Sequence, residues 1–449
     1  MLKEFFINFK NHFPRKIFFL SIAVWMIFAV INFLLLQNKF FTGVGILYPF
    51  SVIYPNAFLI PGFLVAFLFL FIGFFALKNS RNLNVFVVMF LCFLLILTGN
   101  LAQGNLDIAF MQPFYLKGRQ YYTDAIHIQN WQIWLRNFNN DLETFQLHTK
   151  THPPFATLLH YFILKFFNGN ILALGIVFFL MAFSGVPVFY KCLKLLDFSK
   201  ENAKKITLLF CIIPSVNIYS LVSIDGIILA FTIFFLYGLL LIIKTNSLNL
   251  RGVLISVISF IVINCLSFSG LFLLAFLGIL SLFYLFKKDF KLIYLGIIII
   301  FSSVFFFYVI HYFSGYNHLE TFQKASHSEN PNGFMFLVQP RIYFFTRLED
   351  IGEILVFLSF AVVAVLFSKK YLNIKNLPQK NIFYSAILAL LIMFLTGAYG
   401  TGETARACLY IVPFVMILFQ NLEKKTYDVL FILCLLQCFG MQMIGNFYW

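Results

Sequence analysis

The stretch Pro153-Pro154-Phe155-Ala156-Thr157-Leu158-Leu159-His160-Tyr161-Phe162-Ile163-Leu164-Lys165-Phe166-Phe167 decides the architecture, because counting it as a membrane crossing would move every later loop to the opposite side. A helix needs roughly 20 apolar residues to cross a hydrocarbon core. This segment has 15, opens on two prolines and carries His160 and Lys165, which suits a helix lying in the interface. The rest of the chain names its solvent. Of 449 residues 61% are hydrophobic, 20% aromatic and only 11% charged, with a mean hydropathy of +0.90. Soluble domains carry about a quarter charged residues, so this composition excludes a water-soluble globular enzyme, disorder, coiled coil and collagen. The fold class is an all-α polytopic membrane protein.

Apolar windows long enough to cross as helices fall near 17–37, 57–77, 84–102, 170–190, 206–223, 226–243, 252–266, 269–286, 292–313, 351–368, 382–398, 406–421 and 428–446, about 13 transmembrane helices. With 153–167 left at the surface, 22 of the 32 basic residues fall on one side, against six of the 17 acids. Lys and Arg stay on the cytoplasmic side, so the N-terminus is expected inside and the C-terminus outside, in a cell inner membrane. The inner set includes Lys3, Lys10, Arg15 and Lys16 ahead of the first window, which reads as a retained signal anchor, and Lys369, Lys370 and Lys375 further on. The scattered charge does not make a nucleic-acid surface. Seven cysteines lie in or beside apolar runs without a CxxC pair, so neither disulfides nor zinc is expected. Two outer segments are long: Gln103–Asn168 and Ser314–Asp350. The first, rich in Trp and Tyr, is expected to form an ordered layer on the membrane. The organisation is two N-terminal spans (1–83), a core with its large loop (84–313), a second outer loop (314–350) and C-terminal spans (351–449).

Ionisable groups kept beside apolar segments are the informative ones, and they gather at the outer face. Asp124 precedes Ala125–Phe138, an amphipathic stretch, and either caps that helix or serves a site. Asp107 competes for the same loop. Asp225, in the turn Ser223-Ile224-Asp225-Gly226, either caps the next helix or points into a polar cavity. Glu403 and Arg406, three apart in Gly400-Thr401-Gly402-Glu403-Thr404-Ala405-Arg406, pair with each other or offer an Arg to a phosphate, a role also open to Arg341 and Arg347. His148 and His152 have helical metal-pair spacing, but Pro153 pushes His152 towards extended angles. A histidine pinned there makes a site wall, and no metal ligand set is assigned.

These features together resemble the GT-C superfamily of membrane glycosyltransferases, in its dolichyl-phosphate-mannose-transferase-like branch. The matching elements are Arg119-Gln-Tyr-Tyr-Thr-Asp-Ala125, Leu147-His-Thr-Lys-Thr-His-Pro-Pro-Phe155 with the surface helix to Phe167, Asp225, and Gly402-Glu-Thr-Ala-Arg-Ala-Cys-Leu-Tyr-Ile-Val-Pro-Phe414. The usual Asp-Glu pair is absent, since Ala125 follows Asp124, and two extra spans precede the core. The resemblance implies an enzyme, a hexosyltransferase that moves a sugar from a polyprenyl-phosphate donor to a glycan, lipid or protein acceptor at the outer face with inversion. It implies Asp124 as general base, Asp225 holding the acceptor or a divalent cation, and Arg406, His152, Arg341 or Arg347 stabilising the leaving phosphate, with Glu403 beside Arg406. From a different class, a secondary transporter or lipid flippase would place its ionisable groups at mid-membrane and show inverted repeats. Here the acids lie at one face.

Overall fold

The computed structural model describes residues 2–37, 54–56, 58–116, 121–368, 377–397 and 402–447. The described chain is helical apart from a two-residue antiparallel ladder joining Tyr54–Pro55 to Gly445–Asn446. Among the described residues six helices are long and apolar enough to cross a membrane: Ile60–Asn79, Ile171–Leu195, Ile224–Thr245, Lys291–Ser314, Leu377–Leu395 and Lys424–Ile444. The pair Glu4–His12 and Arg15–Ile31, bent by 87°, makes a seventh if taken as one span. Val85–Leu101, Leu250–Leu266, Gly270–Leu285 and Leu409–Asn421 are shorter apolar helices.

Every apolar window expected from sequence carries helix, but several are broken; the 406–421 window is a series of short turns from Thr404–Ala407 to Ile417–Asn421, and two others divide as follows. The 206–223 window divides into Lys200–Ile212 and Pro214–Tyr219, because Pro214 has no N–H to continue the ladder. The 351–368 window divides into Pro340–Phe357 and Phe360–Leu366 around Ser359, which stands at φ 86°. Pro340–Phe357 begins well inside the segment expected as the second outer loop, and that segment also holds His318–Glu329. The stretch 125–138 is a further correction. Its helix starts only at Trp131, where the Asn130 side chain accepts from the backbone N–H groups of Gln132 and Ile133. Asp124 therefore lies near the end of a one-turn helix, Tyr121–Ala125.

Small residues let helices close on one another. A Cβ on Gly238 would stand 2.7 Å from the Gly252 carbonyl oxygen, so Ile224–Thr245 and Leu250–Leu266 meet backbone to backbone. Six of the seven cysteines are buried in this packing and all seven are free thiols.

Loop contacts divide the molecule into two ends. At one, Lys204 Nζ donates to the carbonyls of Arg81 and Leu83, Lys244 pairs with Asp197 at 2.7 Å, Gln420 donates to the Asp197 carbonyl, and Thr426 donates to that of His12. At the other, Asn139 donates to the Asn317 carbonyl and to Thr321, Lys324 to the Asn139 carbonyl, Gln103 to Gln442, and Tyr343 to the Leu395 carbonyl. The helix Pro154–Phe166 has 13 residues, fewer than any of the candidate spans. Its His160 ring touches Phe114 and Tyr121 from the chain before it and Phe178 from the helix after it. Thr157, His160, Tyr161 and Leu164 form its buried face, while Phe162 and Phe166 stay exposed. The basic residues Lys369, Lys370 and Lys375, and Arg119 of the first loop, lie outside the described residues, as do Gly400 and Thr401.

Candidate active site

Ser223 sets the entry to the helix Ile224–Thr245 by accepting from the Gly226 N–H at 3.1 Å. Gly226 is required there, since a Cβ would stand 2.7 Å from the Tyr219 carbonyl oxygen. With Ser223 supplying the cap, the Asp225 carboxylate reaches across the bundle, and its Oδ2 lies 3.4 Å from Arg406 Nε. Arg406 Nη2 donates to Glu403 Oε2 at 2.7 Å. One guanidinium is thus shared between two carboxylates, as their separate positions in the sequence could not show.

The turn that presents Arg406 is braced from below. Both Glu353 carboxylate oxygens accept backbone N–H groups, from Thr404 at 3.2 Å and from Ala405 at 3.1 Å, and Asp350 Oδ1 accepts from the Thr404 hydroxyl at 2.6 Å. Arg347 pairs with Asp350 at 3.0 Å and donates to the Phe394 carbonyl. Its charge is spent supporting the brace, behind the cavity. Arg341 is exposed and does not line the cavity either.

His152 closes the one-turn helix Leu147–Thr151 and is extended, at φ −127° and ψ 163°, because Pro153 follows. Its Nδ1 lies 3.1 Å from the His148 carbonyl oxygen, so that nitrogen carries the proton and Nε2 keeps its lone pair. Burial and the adjacent His148 push His152 down to about 3, and burial pushes His160 down to about 4. Both are neutral imidazoles at neutral pH. His152 therefore meets a ligand as a neutral hydrogen-bonding ring. Tyr121 sits among three imidazoles, with ring centroids 5.8 Å from His148, 5.6 Å from His152 and 5.4 Å from His160. Burial, then the nearby Asp225 charge, raises its phenol well above the usual range. In sequence Tyr121 is one tyrosine of the aromatic-rich first outer segment, and its closeness to His148 comes only from the fold.

These side chains enclose a cavity of about 80 Å³ lined by Tyr121, His148, His152, Asp225, Glu403 and Arg406 among others. His152, Asp225 and Glu403 also border a second hollow of about 300 Å³, whose far wall includes Ser267, Ser269 and Phe322. Phe268, Leu271 and Phe322 then continue into an apolar groove of about 550 Å³, walled by Phe260, Phe307 and Tyr308 between the helices Leu250–Leu266, Gly270–Leu285 and Lys291–Ser314.

Asp124, expected at the site, and Asp107, its competitor, are both engaged in hydrogen bonds outside this cavity. Asp124 Oδ2 accepts from the Gln146 N–H at 3.0 Å, tying its short helix to the start of Leu147–Thr151. Partial burial raises its carboxyl, against the opposing hydrogen bond from Thr149. Asp107 is held within its own segment by Gln112 at 2.9 Å and Tyr115 at 3.0 Å. Neither lines the cavity. Among the described residues no three His, Cys, Asp or Glu side chains are grouped so as to hold a metal ion. Comparison of the chain with family models, curated proteins and solved structures finds no match.

Proposed function

We propose that this chain is an integral-membrane glycosyltransferase of the GT-C type, with thirteen spans, its N-terminus cytoplasmic and the Asp225 cavity at the outer face. The observation that carries this reading is the shape of the cleft. A small chamber of carboxylates, imidazoles and one guanidinium opens through the middle hollow into an apolar groove between helices. Such a cleft suits a donor with a sugar at one end, a phosphate next to it and an isoprenoid chain beyond. The segregation of the Lys-rich loops to the end opposite the cavity supports the orientation.

In this scheme the acceptor hydroxyl gives its proton to Asp225 as its oxygen attacks the anomeric carbon. The bond from that carbon to the phosphate oxygen breaks, and its electron pair leaves with the polyprenyl phosphate. Arg406 stabilises the departing charge. Because Arg406 already holds both Asp225 and Glu403, an arriving phosphate competes with them, and drawing Arg406 away makes the Asp225 carboxylate a stronger base. His152, neutral and with Nε2 as acceptor, orients a sugar hydroxyl. Asp124 serves as the brace that holds the His148–His152 segment in place. Attack from the face opposite the leaving phosphate inverts the anomeric centre.

The test is transfer from labelled polyprenyl-phosphate hexoses by the full chain in nanodiscs with membrane extract as acceptor source. Loss of a general base costs about 100-fold or more, so Asp225→Asn should lose at least that while Asp124→Asn stays within about tenfold. Full activity of Asp225→Asn, or abolition by Asp124→Asn in a folded variant, would return the base to the first loop. Uptake driven by an ion gradient, with no transfer, would instead favour the secondary transporter or flippase.

A further inference from the structure

At the end of the molecule opposite the candidate active site lies a separate cavity of about 720 Å³, bounded by the helices Leu2–His12, Ile60–Asn79 and Lys424–Ile444. Its volume falls in the roughly 300–1,000 Å³ range of small-molecule sites. Four charged side chains border it, Lys78 and Lys424 against Glu4 and Asp428, with Asn8 between them and Phe71, Phe74 and Phe75 forming the apolar wall. Among the described residues none of the four belongs to an ion pair, so opposite charges face one cavity without closing on each other. Arg81 and Lys205, whose fields also reach Asp428, are both held by Glu201.

The position is that of a lipid headgroup. Lys78 ends one candidate span and Lys424 begins another. Leu2–His12 turns away from the helix that follows it and exposes Phe6 and Ile7, while Asn8 faces inward, the pattern of a helix lying in the interface. A purely basic pocket would select an anionic lipid; two cations balanced by two anions select a headgroup that carries both signs.

We propose that this cavity binds one glycerophospholipid of the phosphoethanolamine class, its phosphate on Lys78 and Lys424, its ammonium on Glu4 and Asp428, and an acyl chain along the phenylalanine wall. The ammonium donates to both carboxylates, which a choline headgroup, having no N–H, cannot do. The bound lipid pins the amphipathic helix to the start of Lys424–Ile444. This assignment stands independently of any transferase activity.

The experiment is native mass spectrometry of the full chain released from nanodiscs of equimolar phosphatidylethanolamine, phosphatidylcholine and phosphatidylglycerol. One retained phosphatidylethanolamine, favoured about tenfold or more over each of the others, is expected from charge-assisted hydrogen bonds at both ends of the headgroup. Lys78→Gln with Lys424→Gln should abolish that retention, and Asp428→Asn should shift it towards phosphatidylglycerol. Lys10→Gln, on an exposed position of the same N-terminal helix, should leave it unchanged. Unfolding temperature is measured for each variant, and Lys78→Gln alone is read if the double variant does not fold. Equal retention of phosphatidylglycerol by the unmodified chain, or undiminished phosphatidylethanolamine in a folded lysine variant, would overturn the proposal.

Discussion

Replacing Arg406 by Gln should destabilise the protein more than any single loss at the cavity, and the reason is electrostatic. The guanidinium side chain is 11% exposed and lies between Asp225 at 3.4 Å and Glu403 at 2.7 Å, whose side chains are 22% and 30% exposed. Glutamine fills similar space but leaves two carboxylates facing one another with no counter-charge. Removing one partner of a buried ion pair costs about 3–5 kcal/mol, and the partial opening of both carboxylates to the cavity places this case near the lower end, at about 3 kcal/mol. For a chain of this size that corresponds to a fall of roughly 3 °C in unfolding temperature. The triple variant Asp225→Asn, Glu403→Gln, Arg406→Gln removes the charges together and should recover most of the loss, since it leaves no ion buried without a partner. Thermal unfolding followed by tryptophan fluorescence in nanodiscs reads both. An Arg406→Gln protein within 1 °C of the unmodified chain, or a triple variant no more stable than the single one, would refute a shared guanidinium as the centre of this cluster.

Glu353→Gln leaves one carbonyl oxygen where two carboxylate oxygens accepted the Thr404 and Ala405 N–H groups, so stability should fall by about 1–3 kcal/mol and donor binding, measured by titration with a labelled polyprenyl phosphate, should weaken as the Arg406 turn loosens. Gly99→Ala would put a Cβ 2.2 Å from Asn217 Oδ1, the acceptor for Gln442; a loss of about 1–3 kcal/mol is expected from overpacking, read as a lower unfolding temperature. Acidification should also destabilise the protein. Unfolding lets His152 and His160 titrate near 6.5, whereas burial holds them neutral down to about 3 and about 4. Between those values the unfolded chain binds protons that the folded one does not, so stability is full above 6.5 and declines as the pH falls towards 4. His152→Gln should narrow the difference between unfolding temperatures at pH 7.5 and pH 5, and an unchanged difference would exclude His152 from the effect.

The helix positions could be read directly because long apolar runs need no partner to be recognised, and Pro154–Phe166 is a helix of 13 residues, as short as its prolines and its length suggested. The pairing of Glu403 with Arg406 was open to the same reading, since three residues at a helix start bring side chains together. The link from Arg406 to Asp225 was not, for it joins segments almost two hundred residues apart. Asp124 illustrates why local pattern misled: its chain position suggested a helix start, but the Asn130 cap begins the helix six residues later and a contact with Gln146 claims the carboxylate. Asp350 ended the segment expected as the second outer loop, and Glu353 stood just past it. They instead lie on a helix that begins at Pro340, buried beneath the turn they support. The neutrality of His152 was equally hidden, because burial, which no motif encodes, sets it.

Substituted-cysteine labelling tests most directly whether the Asp225 chamber and the lysine-rich loops occupy opposite compartments. Single cysteines at Thr151, Ser269 and Thr396, which border the cleft, and at Asn79 and Asn202, at the other end, would be exposed in intact cells to a membrane-impermeant maleimide. Labelling of positions 151, 269 and 396 alone is the predicted result. Labelling of 79 and 202 from that same side, or of 151 and 269 from different sides, would contradict the account.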